Sequence, residues 1–155
     1  MRHLYTLTLS GLAAAVIGST AFAQDATNPA VSARQSLMGL YAFNLGQLGA
    51  IAKGELEYDA NTAAAAAGNL AALAKLDQTA LWPEGTSSET TEGTRALPVI
   101  WSDMDGFHAK ADDLAEAATA MEGAAGTDLA SLQGAMKDLG AACGACHKEY
   151  RQPDD

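Results

Sequence analysis

Leu129-Ala-Ser-Leu132-Gln-Gly-Ala-Met136-Lys-Asp-Leu139-Gly-Ala-Ala-Cys143-Gly-Ala-Cys146-His147-Lys-Glu-Tyr150 nearly closes the chain. Its apolar and cysteine positions recur at alternating steps of three and four, the period of one face of an α-helix. Cys143, Cys146 and His147 therefore project from one side of that helix. The same residues form a C-x-x-C-H motif. Two thiols one turn apart can add to the two vinyl groups of a haem, and the adjoining imidazole can reach the iron from the same side. The stretch predicts a helix whose inward seam carries one covalent haem c, with His147 as an axial ligand of the iron. No Met, His or Cys follows His147, so a sixth iron ligand comes from upstream or is absent.

Working back from this helix, expected over Thr127 to Tyr150, three more helices emerge. Asp128 lies in the first turn of the last one, where a carboxylate suits the helix dipole. A third helix is expected from about Pro98 to Gly123, on the continuous seam Ile100, Met104, Phe107, Ala111, Leu114, Ala118 and Met121. A second runs from about Asp59 to Thr79, capped by Asp59, with Ala63, Ala66, Leu70 and Leu73 as its stripe. A first runs from about Pro29 to Lys53, with Val31, Arg34, Met38, Tyr41, Leu45, Leu48 and Ala52 as its seam and Gly54 as its stop. Trp82 to Leu97 carries Pro83, Gly85 and Gly93 and reads mostly as a solvated loop. Four helices of similar length with heptad-like seams predict an all-α fold: an antiparallel up-down-up-down four-helix bundle, with the haem inside one end.

The N-terminus reads differently. Arg2 precedes an apolar run from Leu4 to Ile17, and Ala21-Phe22-Ala23 is an A-x-A cleavage pattern. Residues 1–23 are expected to be a cleaved signal peptide, leaving 24–155 as one domain exported to the periplasm. No other stretch is apolar and long enough to span a membrane. The leader holds one of the 9 Lys and Arg and none of the 19 Asp and Glu, so the mature chain has 8 against 19, a net −11. Such acidity disfavours nucleic acid and anionic membrane and suits a basic protein partner. The competing use of a C-x-x-C pair is a redox disulfide, but such a site opens a helix after a strand. Here it closes a chain that reads as all helix.

The far side of the iron stays open at this point. Met38, Met104, Met121, Met136 and His108 are the candidate donors. The last three Met residues fit core seams, where Met commonly fills gaps. His108 lies one residue off its helix seam. Met38 faces inward beside Arg34 and Tyr41 and is the residue expected over the iron, as a ligand or as a screen. Arg151, one turn after His147, is either an end-capping cation or a fixed charge that tunes the iron potential.

Several segments together resemble the cytochrome c′ family, the class II c-type cytochromes. They are Cys143-Gly-Ala-Cys-His147-Lys-Glu-Tyr150-Arg151, Arg34-Gln35-Ser36-Leu37-Met38, the turn from Leu48 to Asp59, and Ile100-Trp101-Ser102. The resemblance covers essentially the whole mature chain. It implies that His147 is a solvent-accessible proximal ligand with Arg151 beside it. It also implies that Arg34 and Gln35 contact a haem propionate and that Met38 packs on the distal face. In most of the family that face has no protein ligand and the iron is five-coordinate, binding NO and CO. Low-spin members also exist, in which a first-helix Met is the sixth ligand, and Met38 suits either branch. Many members are homodimers joined through the first two helices. Gly144 departs from the family, where many members carry Lys. The resulting expectation is a monohaem cytochrome that binds a diatomic gas, exchanges electrons with a redox partner protein, or both. A peroxidase wants a distal His with a positive partner, and the first helix offers no inward His. No enzymatic activity is expected.

Overall fold

The fold was analysed in a computed structural model that describes residues 28–153. The expected leader lies outside the described residues. Asn28 begins α1 (Pro29–Ala52): its side-chain oxygen accepts from the amides of Ala30 and Val31, and Pro29 occupies a position whose N–H has no helical partner. The helix stops at Gly54, whose φ of 76° lets Glu55 and Leu56 return their amides to the Ala50 carbonyl at 2.9 and 3.2 Å. Asp59 caps α2 (Ala60–Ala74) through the Thr62 amide at 2.7 Å. This helix ends short of Thr79, and a 3₁₀ turn, Thr79–Leu81, follows.

The third helix differs from expectation. It is broken into α3 (Val99–Ser102) and α4 (Met104–Ala125), with Asp103 in a non-helical conformation between them. Asp103 accepts the Gly106 amide as the cap of α4 and also accepts the Tyr150 hydroxyl. Two hydrogen-bonding partners on one carboxylate hold the break open. The last helix, α5 (Leu129–Tyr150), is capped by Asp128 through the Ser131 amide at 2.7 Å.

The four long helices pack in a ring: α1 on α2, α2 on α4, α4 on α5, and α5 thinly back on α1. This is the up-down-up-down bundle: short turns join α1 to α2 and α4 to α5, and the longer 75–103 segment carries the chain from α2 to α4. Leu48, Ile51, Met121, Leu132 and Leu139 are essentially inaccessible in the main core, each contributing about 1.5–3 kcal/mol of burial. Alanines 63, 66, 67, 71 and 74 are the buried face of α2 and let its neighbours approach closely.

The α1 seam is split by the open α1–α5 side. Leu37, Asn44 and Ile51 are buried along with Val31, Arg34, Tyr41 and Leu48, whereas Met38 is 38% exposed. The helix packs one flank on α2 and turns the other toward the gap. Asn44 is tolerated inside because its amide donates to Leu40 O and its oxygen accepts from Asn69 of α2.

The segment 82–97 is not a solvated connection. Thr86, Ser87 and Thr94 are buried. Arg34 stands at its centre: one terminal nitrogen donates to Thr86 Oγ1 and Leu81 O, the other to Thr86 O and Thr94 Oγ1. The guanidinium also lies 4.8 Å from the Trp82 ring centroid. A buried cation needs such saturation, and the loop supplies it. At its far end the loop pairs with the chain beyond α5, through an antiparallel bridge between Ala96 and Arg151.

Candidate functional site

The thin α1–α5 contact leaves a cavity of about 580 Å³, within the range that binds small molecules and cofactors. Met38, Tyr41, Ala42 and Leu45 border it from α1, and Cys143, Cys146 and His147 from α5. The loop closes one end with Trp82, Thr94 and Arg95. Its walls are mostly aliphatic and aromatic. A second, aromatic cluster forms the floor: Phe107 packs edge-on against Trp82 at 4.7 Å and against Tyr150 at 5.3 Å between centroids.

The structure thus brings the motif residues to one wall, as the helical spacing requires. Cys143 and Cys146 are half-buried. Burial raises both above the ordinary thiol value, Cys146 to about 11, with Cys143 and Glu149 adding to the rise and Lys110 opposing it. His147 is exposed at the mouth. Its imidazole is held below the usual value first by desolvation and then by the cations of Arg151 and Arg95. Arg151 is held in place by its own amide, which donates to His147 O at 3.2 Å.

Among the five candidate donors for a sixth ligand, Met38 alone borders this cavity. Met121 is locked in the main core, and Met136 packs against it. Met104 joins the aromatic cluster. His108 is exposed, tilted against Phe107 and facing a separate, more polar cleft near Lys75 and Asp77. Arg34 and Gln35 also border the cavity, but both side chains are engaged with the loop, Gln35 through the Gly93 carbonyl.

The donor set fits a covalent haem c. Two thiols and an imidazole lie on one face, against a wall of apolar groups large enough for a flat macrocycle. Two buried donors at the same cavity, the Tyr41 hydroxyl and the Trp82 indole N–H, have no hydrogen-bond acceptor. Gln78 stands near enough to Tyr41 to oppose its raised pKa, but no hydrogen bond of ordinary geometry joins them. Buried polar groups rarely stay unpaired, and the carboxylates of a haem are acceptors of the kind both lack.

Fold and site together define a c-type cytochrome built on a four-helix bundle. The family model described as cytochrome C′ matches residues 29–151. Cytochrome c-554 of Cereibacter sphaeroides is 52% identical over 124 residues, 80% of this chain and 93% of that protein. The solved cytochrome c′ from Rhodobacter sphaeroides superposes with a TM-score of 0.78 at 41% identity, covering 81% of this chain and 96% of the other. A nitric oxide complex of a variant cytochrome c′ from Alcaligenes xylosoxidans gives a TM-score of 0.70 at 36% identity, covering 81% and 94%. The chain belongs to the cytochrome c′ family, and haem c is its cofactor.

Two residues of the site were not legible in the sequence as site residues. Arg95 sits in an aperiodic loop, and Trp82 opens it; neither carries a motif. Only the fold brings them to the motif.

Proposed function

We propose that this is an exported, periplasmic cytochrome whose haem is held by thioethers from Cys143 and Cys146, with His147 as the proximal ligand. Its distal face, under Met38, is open to a diatomic gas. The carrying observation is the composition of the α1 wall. Met38, Tyr41, Ala42 and Leu45 line it with mostly apolar side chains and no histidine among them. Relatives point the same way, one of them in complex with nitric oxide. An apolar wall admits small neutral gases and disfavours charged ligands.

Haem supplies a one-electron iron centre and an open coordination position. The chain's own residues do the rest. Apolar walls exclude water, and His147 would hold the iron through its imidazole. Arg151 places a positive charge beside that imidazole. Arg34 and Gln35 border the cavity, as the resemblance to propionate-binding residues requires, but the terminal N–H groups of Arg34 are taken by the loop, so its Nε–H and the second amide N–H of Gln35 are the donors left for a propionate. The protein acts as an electron carrier or a gas-binding protein. Its redox partner is a protein with a basic face, complementary to an acidic surface. No helix among the described residues is long and apolar enough to cross a membrane.

The test is the optical spectrum of the ferrous protein with and without CO. A high-spin spectrum that shifts on adding CO supports the open face. Sharp low-spin bands unmoved by CO would overturn it and assign Met38 as sixth ligand, which Met38→Ala then checks by turning the iron high-spin. Replacing both Cys143 and Cys146 by Ser leaves a haem that acid-acetone extracts; one still held covalently refutes the thioether assignment.

A further inference from the structure

We infer that the Tyr41 hydroxyl is a hydrogen-bond donor kept for a diatomic ligand on the distal side, so that the cavity selects among small gases by polarity as well as by size. The inference rests on the reading of that side as open to a gas.

Tyr41 stands apart from the rest of the α1 wall. Beyond Arg34 and Gln35, which the loop engages, α1 lines the cavity with Met38, Gly39, Tyr41, Ala42 and Leu45. Tyr41 alone among them can donate a hydrogen bond from its side chain. It is 8% exposed, and its hydroxyl oxygen, out of reach of solvent, has no hydrogen-bond partner among the described residues. Leaving a buried donor unpaired costs free energy in the folded chain. Phe would fill the same space without that cost, so the hydroxyl calls for an acceptor that arrives from outside the chain. Burial pushes the phenol up to about 12, with Gln78 opposing the rise and Cys143, on the α5 wall, adding to it. The group is therefore protonated, and able to donate, throughout the neutral range.

Two acceptors could arrive: a haem carboxylate or an axial diatomic ligand. Position along α1 separates them. Arg34, Met38 and Tyr41 follow at steps of four and three, one turn each, which puts Tyr41 about 10 Å along the axis from Arg34. Donors suited to a carboxylate gather at the Arg34 end. Gln35 borders the cavity there, and Trp82, the other orphaned donor, has its ring 4.8 Å from the guanidinium. In an up-down-up-down ring α1 and α5 run in opposite directions. The Tyr41 end of α1 therefore faces Cys143, and the Arg34 end faces Arg151. Cys143 would take a vinyl group at its end, and the vinyl and propionate groups of a haem occupy opposite halves of the ring. What remains for Tyr41 is an acceptor on the face that Met38 borders, one turn away. A donor in a dry site acts strongly. It favours a ligand whose outer atom gains negative charge on binding, such as nitric oxide, over one held by size alone.

The test is vibrational spectroscopy of the ferrous, haem-loaded protein with CO, whose C–O stretch falls when a donor approaches its oxygen. Tyr41→Phe keeps the ring and removes the hydroxyl. It is expected to raise the C–O stretch and to speed CO and NO dissociation by about 2- to 10-fold, the scale of one hydrogen bond. Wild type alone gives a second reading. Its C–O band should shift between H2O and D2O as the hydroxyl proton exchanges, and the band of the Phe variant should not. A stretch unmoved by Tyr41→Phe, or a wild-type band identical in both solvents, would overturn the inference. A change confined to the propionate bending mode also overturns it, and assigns the hydroxyl to a haem carboxylate. Those outcomes leave the open face standing and remove only the donor. A wild type that binds no CO fails one level earlier: the open-face reading is then wrong, and the Tyr41 inference falls with it.

Discussion

The Tyr150 hydroxyl donates to the Asp103 carboxylate across 2.6 Å, joining the end of the haem helix to the break between α3 and α4. Gly106 is what leaves room for it. A Cβ there would stand 2.6 Å from the Tyr150 oxygen, closer still to one Asp103 carboxylate oxygen and 2.7 Å from the other. Gly106→Ala is therefore expected to destabilise the haem-loaded protein by about 1–3 kcal/mol, the usual scale for overpacking, although alanine is the better helix former. A lowered urea midpoint at unchanged m-value checks it. An unchanged or raised midpoint would mean that helix propensity outweighs the clash.

Arg34 should resist even conservative exchange. It is 3% exposed, and its two terminal nitrogens reach four acceptors on the loop and the turn before it. Lysine offers one nitrogen and no plane to lie on Trp82. Arg34→Lys is expected to cost about 2–4 kcal/mol, from charged hydrogen bonds lost inside the protein. It should also open the 83–95 segment to limited proteolysis before the bundle itself is cut. Cleavage at the wild-type rate would show that the loop holds without the guanidinium.

The contrast between these residues explains what sequence could convey. Leu132, Leu139, Cys143 and Tyr150 were legible because a helix repeats, and a repeat survives without knowledge of any neighbour. Asp103 was not: the seam from Ile100 through Met104 to Phe107 runs across it unbroken, and the break exists because Tyr150 arrives from the other end of the chain. The family resemblance placed Arg34 on a propionate, yet its partners Thr86 and Thr94 lie in a loop without periodicity. Met38 and Leu37 exchanged burial for a similar reason. A seam locates a face within about one residue, and the open α1–α5 side selected the other edge of it. Arg95 had no local signal at all, because its position depends on pairing with Gln152.

High pH should unfold the protein through two tyrosines. Tyr41 is pushed up to about 12, chiefly by burial, and Tyr150 to about 12, chiefly by its bond to Asp103. Both folded values exceed the ordinary 10.0. A raised folded pKa favours the protonated form, so the associated stability is fully present below pH 10 and is lost as pH rises toward 12. Urea midpoints taken from pH 9 to 12 are expected to fall steeply in wild type and less in Tyr41→Phe and Tyr150→Phe. Parallel wild-type and double-variant curves would assign the alkaline loss to other groups.

The outer face of α1 bears on assembly. Leu40 is 50% exposed and Phe43 is 63% exposed, one helical turn apart. An aromatic and an aliphatic side chain together in water favour a partner surface over solvent. The resemblance implies homodimers joined through the first two helices, and α1 turns this pair outward. Phe43→Glu places a charge in that contact, and in a two-fold dimer the charge meets the interface from both protomers. Sedimentation of the haem-loaded wild type is expected to show a dimer that dissociates on dilution. The Phe43→Glu variant should be monomeric over the same concentrations, with an unchanged visible spectrum. A wild type that sediments as a monomer at high concentration refutes the dimer, and a variant that stays dimeric moves the interface off this face.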